Sequence, residues 1–431
     1  MSHHLILGAG PAGVIAAETI RKQAPNDAIT LVGDEPEPPY SRMAIPYLLI
    51  GNVQEDGTYL RKSPTHLQDL NIKTITGRAA QVNAAAKSVT LESGETLSFD
   101  TLLVATGSTP VRPPIAGMDL PCVHSCWTLE DARAIMKLAQ PGARVLQLGA
   151  GFIGCIIMEA LAARGVQLSV VEMGDRMVPR MMGPTAGGMI RDWVQAKGVQ
   201  VFTGTRVESI TAGSPMQVSL SNGTQLQADL VISAAGVKPA IGFLEKSSVK
   251  CLLGVLTDEH LQTSVPGIFA AGDCAEAFDK VSGKTIVSAI QPNAAEQARV
   301  AALNMVAFAR GAPARTSLKG VTQINVLDTL GLISTSFGDW QGVPGGQQVA
   351  LTDAQAGRHL SLQFKDDVMV GCNSVGWTEH VGVMRGLVEG QVKLGAWKDT
   401  LLNDPTQLME AYLACAQGQG VWAGAQDARR R

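Results

Sequence analysis

The sequence predicts an α/β protein made of two Rossmann-like dinucleotide-binding units, one inserted into the other, followed by an α+β domain. Three observations carry this. Residues 5–34 read LILGAGPAGVIAAETIRKQAPNDAITLVGD, residues 145–172 repeat the design as VLQLGAGFIGCIIMEALAARGVQLSVVE, and the texture of the chain changes after residue 318. Each repeat is an apolar strand, G-x-G-x-x-G, an apolar-striped helix, a second strand and an acid. The first glycines, Gly8 and Gly149, permit the tight strand-to-helix turn. Gly10 and Gly151 let a pyrophosphate approach the backbone, and Gly13 and Gly154 allow close packing of helix on strand. Between them, Pro11 and Ala12, or Phe152 and Ile153, open a helix whose positive N-terminus receives the pyrophosphate. The acids, Asp34 and Glu172, follow the third glycine by 21 and 18 residues, near the spacing of a carboxylate that holds ribose hydroxyls. Two dinucleotide sites in one chain imply an internal electron relay.

A second repeat points to duplication. Residues 91–107, LESGETLSFDTLLVATG, return 129 positions later as LSNGTQLQADLVISAAG at 220–236. Each is a hairpin turn, Ser93-Gly94 or Asn222-Gly223, and an apolar strand that ends in a glycine, Gly107 or Gly236. The Pro/Gly-rich STPVRPPIAGMDLP and the later VKPAIGFLEK read as crossings between domains. Then 252–273 supplies two short strands and the pair Gly272-Asp273, taken to open a helix over 288–310. The boundaries expected are 1–112 and 241–318 for the first unit, 113–240 for the inserted one and 319–431 for the last domain. That domain reads as strands rich in Val, Ile, Leu and Thr, then helical periodicity over 378–416. Its apolar residues, among them Val321, Ile324, Val326, Leu330, Leu332 and Ile333, need a surface to cover, which predicts an interface that makes a homodimer or docks a partner subunit.

With 431 residues, 45% of them hydrophobic, the chain has ample material for two or three packed domains. Net charge is −3 and the largest basic block is the terminal Arg429–Arg431, so no footprint for nucleic acid or an anionic membrane is visible. No uninterrupted apolar run reaches the ~18 residues of a spanning helix. The first strand begins at His4 or Leu5, which leaves no room for a signal peptide and predicts a cytoplasmic protein. Seven scattered cysteines, an odd number, suit a reducing compartment better than a disulfide framework. Cys122 and Cys126 flank His124, but no second ligand pair accompanies them, and no metal site or iron–sulfur motif is expected. Cys155 and Cys274 fall in packing positions.

With Ala105-Thr106-Gly107 and GIFAAGD at 267–273 added, the chain resembles the pyridine-nucleotide-dependent FAD oxidoreductases over about residues 1–310, and 319–431 looks like that family's C-terminal interface domain. The resemblance implies that the first fingerprint binds FAD, that the inserted one binds NAD(P)H, and that Asp273 holds the ribityl–phosphate region. A helix N-cap is the other role open to Asp273. Residues 31–42, LVGDEPEPPYSR, resemble the subgroup of rubredoxin and ferredoxin reductases, the flavin part of assimilatory nitrite reductase, and apoptosis-inducing factor. By that match Asp34 binds the FAD ribose, with Glu35 as the alternative acid, and Arg42 approaches the FAD pyrophosphate or ring.

Departures from the family are also informative. Met43 stands where one subgroup carries a redox cysteine, before Ile45-Pro46-Tyr47, and a thioether makes no thiolate. Tyr47 and Ile156 occupy the positions of a Lys/Glu pair near flavin N5. Losing both leaves no buried unpaired charge. Glu159, one turn beyond, reads as an ordinary helix residue, and no catalytic residue is assigned. Glu172 repels a 2′-phosphate and favours NAD(H), Arg176 being the residue placed to accommodate a phosphate. The expected function is FAD-dependent oxidation of NADH, with electrons passed to a separate acceptor, a small redox protein such as ferredoxin or rubredoxin or an iron–sulfur subunit. The alternatives are a flavoprotein subunit or redox-sensing scaffold of a complex, and direct reduction of oxygen or a quinone.

Overall fold

A computed structural model describes residues 1–279, 282–321 and 324–418; the basic Arg429–Arg431 lie outside the described residues. The chain forms two compact units, one of residues 1–44, 53–110 and 237–321, the other of 45–52, 111–236 and 322 onward.

The first unit is built on a five-stranded parallel sheet in the order Ile268–Ala270, Thr101–Val104, His3–Leu7, Ala28–Gly33, Lys73–Thr76. Its central strands read as continuous apolar runs because both faces are covered. On one face Ile6, Leu31, Leu103 and Phe269 meet Val14, Ala17 and Ile20 of the fingerprint helix Pro11–Gln23 and Ala298, Ala301 and Met305 of the helix Gln291–Ala309. On the other, Leu5, Leu7, Val32, Leu102 and Val104 meet Val82, Val89 and Leu91 of a three-stranded antiparallel excursion, 79–98. Each fully buried Leu or Ile contributes roughly 1.5–3 kcal/mol. Arg21 closes the fingerprint helix by donating to the carbonyls of Ala24, Pro25, Asp27, Leu70 and Asn71. Loop carbonyls beyond the end of the helix are thereby satisfied.

The second unit repeats the plan. Its parallel sheet runs Gln200–Phe202, Gln167–Val171, Arg144–Leu148, Leu230–Ser233, Val123–Ser125, with a three-stranded excursion over 207–228. With it pack a five-stranded antiparallel sheet, 324–375, and three helices, Val381–Glu389, Trp397–Asn403 and Leu408–Gly418. The helical periodicity over 378–416 is thus three short helices, and the breaks fall at Gly390-Gln391, where Gln391 takes φ +46°, and at Pro405.

Where the sequence puts the domain crossings at 112, 240 and 318, the compact units change over at 110, 236 and 321. Helix Ile45–Ile50 joins the second unit, where Arg164 donates to the Leu49 carbonyl at 2.7 Å. Of the apolar residues singled out after 318, Val321 and Leu332 are buried and Val326 is exposed. Among the described residues no helix is long and apolar enough to cross a membrane.

Candidate dinucleotide-binding sites

In the first unit two of the three fingerprint glycines are demanded by the protein's own backbone. Gly8 has φ +109°, and a Cβ there would lie 2.1 Å from the Ala105 carbonyl oxygen; one at Gly13 would lie 1.8 Å from the Gly8 oxygen. Gly10 differs: no atom lies within 4 Å of its hypothetical Cβ. A residue in ordinary extended conformation (φ −77°) facing open space has no internal reason to be glycine, so the cradle fits an external group. Gly10 is the N-cap of the helix, Pro11 opens it, and no side chain caps it. Its first amides are left for an anion. Gly33, at the end of the second strand, brings a hypothetical Cβ to 2.7 Å from the Ala9 Cβ, which sets the acids beside the loop.

The two acids differ in their partners. Asp34 is exposed and pairs with Arg78 at 3.2 Å. Glu35 accepts from the Tyr40 hydroxyl and from Arg42, both at 2.5 Å, and the Arg42 guanidinium lies 5.5 Å from the centre of the Tyr40 ring. Arg42 is therefore a fixed charge. Asp273 accepts from the Ser108 hydroxyl at 3.1 Å, and its carboxyl is pushed up by burial, against the opposing effects of that hydrogen bond and of Arg42. The N-cap role is not realised: Asp273 precedes the strand Ala275–Phe278, and the helix starts only at Gln291, after a β-hairpin that the reading of 288–310 left out. Gly272 (φ +82°) sits against Ala12 and donates its N–H to the buried Gln297 Oε1 at 2.7 Å. Ala105 backs Gly8, the Thr106 hydroxyl donates to the Ala240 carbonyl at 2.8 Å, and Gly107 turns the chain with φ +66°.

The second unit reproduces the cradle. A Cβ on Gly149 (φ +94°) would lie 2.4 Å from the Ala234 oxygen, one on Gly154 2.5 Å from the Gly149 oxygen, and one on Gly151 meets nothing within 4 Å. Gly236 also takes a positive φ, +99°. Phe152 and Ile153 begin the helix and are partly exposed. Glu172 accepts from the Ala150 N–H and the Gly174 N–H, each at 2.7 Å. Those bonds leave lone pairs on both oxygens. Arg176 is already engaged, donating to the Met182 carbonyl at 2.8 Å and to Asp175 at 2.7 Å. One further residue escaped the sequence reading. Gln147, wholly buried in the strand, donates from Nε2 to the Gly149 carbonyl at 2.8 Å, while its Oε1 has no partner. A lone amide in the apolar run VLQLG was the available signal.

Elsewhere Tyr47 and Met43 are both about half exposed, at 56% and 51%, and Ile156 is partly buried. Glu159 is less ordinary than expected, since burial and neighbouring Asp328 push its carboxyl up. Trp377 packs beneath Arg358, 5.4 Å from its ring centre, and Glu379 pairs with the same arginine. All seven cysteines are free. Burial pushes the thiols of Cys126 and Cys155 to about 12 and that of Cys274 to about 11, and raises Cys251, Cys372 and Cys415. Among the described residues no group of three or more metal-ligating side chains occurs.

The chain is similar to known proteins. The profile of the family described as "Pyridine nucleotide-disulphide oxidoreductase" matches residues 2–302. An NADH oxidase of Methanocaldococcus jannaschii is 31% identical over 391 residues, 86% of this chain and 87% of that one. The epsilon subunit of the NADH-dependent phenylglyoxylate dehydrogenase of Aromatoleum evansii is 29% identical, covering 93% and 95% of the two chains. A ferredoxin–NAD(+) reductase component of the biphenyl dioxygenase system of Paraburkholderia xenovorans is 28% identical, covering 91% and 94%. Among solved structures, an NAD-dependent persulfide reductase from A. fulgidus superposes with a TM-score of 0.83 at 26% identity, over 91% of this chain and 78% of that one.

Proposed function

Because the chain belongs to the pyridine nucleotide-disulphide oxidoreductase family, we propose that it oxidises NADH and hands the electrons to a separate small redox protein. It is an NAD(H)-dependent flavoprotein oxidoreductase that uses FAD. FAD, when bound, supplies a centre that accepts a hydride and can release electrons singly. In this reading the cradle of Gly8, Gly10 and Gly13 holds the FAD pyrophosphate, Asp34 or Glu35 the ribose, and Asp273 with Arg42 the ribityl–phosphate end. Gly149, Gly151 and Gly154 hold the NADH pyrophosphate and Glu172 its adenosine ribose. The engaged state of Arg176 supports NADH over NADPH.

The observation that carries the acceptor assignment is the state of the cysteines. Every cysteine with a displaced pKa is raised away from thiolate, which disfavours relay through a thiol. Electrons then leave to another molecule. Similarity to a ferredoxin reductase component supports a protein acceptor. Two other readings have their own support: the NADH oxidase favours direct transfer to oxygen, and the phenylglyoxylate dehydrogenase subunit favours membership of a larger complex.

Anaerobic titration of the purified flavoprotein with NADH, followed by mixing with ferredoxin, rubredoxin, a quinone or oxygen, decides among them. Fastest reoxidation by an iron–sulfur protein or rubredoxin is the expected result. Fastest reoxidation by oxygen or the quinone overturns it.

A further inference from the structure

Leu252 and Leu253 stand 70% and 74% exposed, side by side at the tip of a tight turn in the first unit. Single exposed leucines are ordinary, but an adjacent pair on a rigid mount is not. The turn is closed by the Leu252 N–H on the Gly254 carbonyl at 2.9 Å and by a bridge between Cys251 and Val255. Beneath it lies Glu276, only 4% exposed. One of its carboxylate oxygens accepts from the Leu253 and Gly254 N–H groups at 3.0 and 3.1 Å, and the other accepts from the Thr285 hydroxyl at 3.0 Å. Burying a carboxylate is costly unless donors surround it. Here two of its three donors come from the turn itself, so the acid's effect is to hold two leucines out in water.

The tip is anchored beside Asp273. The Val255 N–H donates to the Cys274 carbonyl at 2.8 Å, and a Cβ on Gly254 would lie 2.7 Å from that same oxygen. Cys274 follows Asp273, and the two residues from Leu253 to Val255 span at most about 7 Å of chain. The exposed charged side chains just before the tip are Glu245, Lys246 and Lys250, with Lys250 at the base of the turn.

We propose that Leu252 and Leu253 form a docking contact for the small redox protein that accepts the electrons, an acidic protein offering a shallow apolar depression rimmed by carboxylates. This rests on the protein-acceptor reading above. Two leucines and their surround cover far less than the about 1,200 Å² of a standing interface and match the small contacts of transient electron-transfer encounters. The lysines orient the approach of an acidic partner, and the leucines fix where it stops.

The test uses the FAD-loaded protein and three probes: an acidic [2Fe–2S] ferredoxin, a rubredoxin, and ferricyanide as a small acceptor. In the L252S/L253S variant, kcat/KM for whichever protein the wild type reduces is expected to fall at least tenfold. Affinity of that protein for the oxidised enzyme, measured by calorimetry, should weaken by a similar factor, while ferricyanide reduction stays within twofold. Lys250→Glu should slow the protein reaction at low salt and much less at high salt. Undiminished binding and reduction by L252S/L253S, or an equal loss with ferricyanide, overturns docking at the tip. If the wild type reduces neither protein, the protein-acceptor reading fails first and the docking proposal falls with it.

Discussion

Gln147 donates its side-chain N–H to the Gly149 carbonyl at 2.8 Å from a wholly buried position, so the second fingerprint loop is held from below by an amide that the strand carries inward. The third glycine makes room for it: a Cβ on Gly154 would lie 3.0 Å from Gln147 Nε2. Gln297 does the corresponding service for Gly272 in the other unit, there as acceptor.

Gln147→Leu should therefore loosen the loop more than the fold. Losing one net hydrogen bond costs about 1 kcal/mol, offset in part because the unpaired Oε1 is removed as well. NADH affinity, followed by fluorescence titration, is expected to fall several-fold, while FAD content and Tm stay near wild type. An unchanged affinity rejects the positioning role.

The glycines separate binding from folding. Gly10→Ala and Gly151→Ala place a methyl in open space at φ −77° and −74°, so both variants should fold. Gly10→Ala should emerge with little FAD, and Gly151→Ala should keep FAD but bind NADH at least tenfold more weakly. Gly8→Ala, by contrast, forces a Cβ to 2.1 Å from a backbone oxygen at φ +109° and should fail to accumulate as soluble protein. A yellow, fully loaded Gly10→Ala protein would contradict the first cradle.

Glu172→Ala removes the acceptor for two loop N–H groups as well as the proposed ribose ligand. Hydrogen bonds to a charged acceptor are worth roughly 1.5–3 kcal/mol each as an upper guide. kcat/KM with NADH should drop by one to two orders of magnitude, and the preference over NADPH should narrow. Wild-type enzyme that works faster with NADPH rejects the assignment.

Triple replacement of Cys122, Cys126 and Cys155 by serine should leave reduction of the flavin by NADH intact. Rapid-mixing absorbance measures it, and a specific loss in a folded, FAD-loaded protein would require a thiol in the reaction.

Acid should weaken the fold through His4. Burial lowers its pKa below the usual 6.5, against the opposing influence of its partner Asp27. A group with a depressed folded pKa contributes its full stability above the unfolded value, and the contribution declines as pH falls below about 6.5 toward the folded pKa. His3 and His359 are lowered by burial in the same sense. Urea midpoints should fall from pH 7.5 to 5.5, and His4→Gln should flatten that slope. An unchanged slope means that His4 carries no such linkage.

The tight turns of both candidate cradles were legible in the sequence because their geometry is local. Gly8, Gly10 and Gly13 act within six residues of chain, and steric demands of that range appear directly as residue identity. The N-cap role open to Asp273 fails because the hairpin of Ala275–Phe278 and Thr285–Val287 gives only two short runs, too brief to register against the strong helix that follows. Glu35, named only as the alternative to Asp34, is the acid tied to Tyr40 and Arg42. Partner choice between adjacent carboxylates depends on which way the chain turns after the strand.

From sequence alone came the duplicated strand–loop–helix units, the glycines of both tight turns and the change of texture after residue 318, since periodicity and glycine spacing record short-range geometry. The tertiary structure alone decided that Ile45–Ile50 joins the second unit, that Gln147 holds the second glycine loop and Gln297 the turn at Gly272, that Arg176 is already engaged, and that Glu276 fixes an exposed pair of leucines. Each of these relationships joins groups distant in sequence or depends on burial, and a hydrogen bond across such a gap leaves no period for a sequence to display.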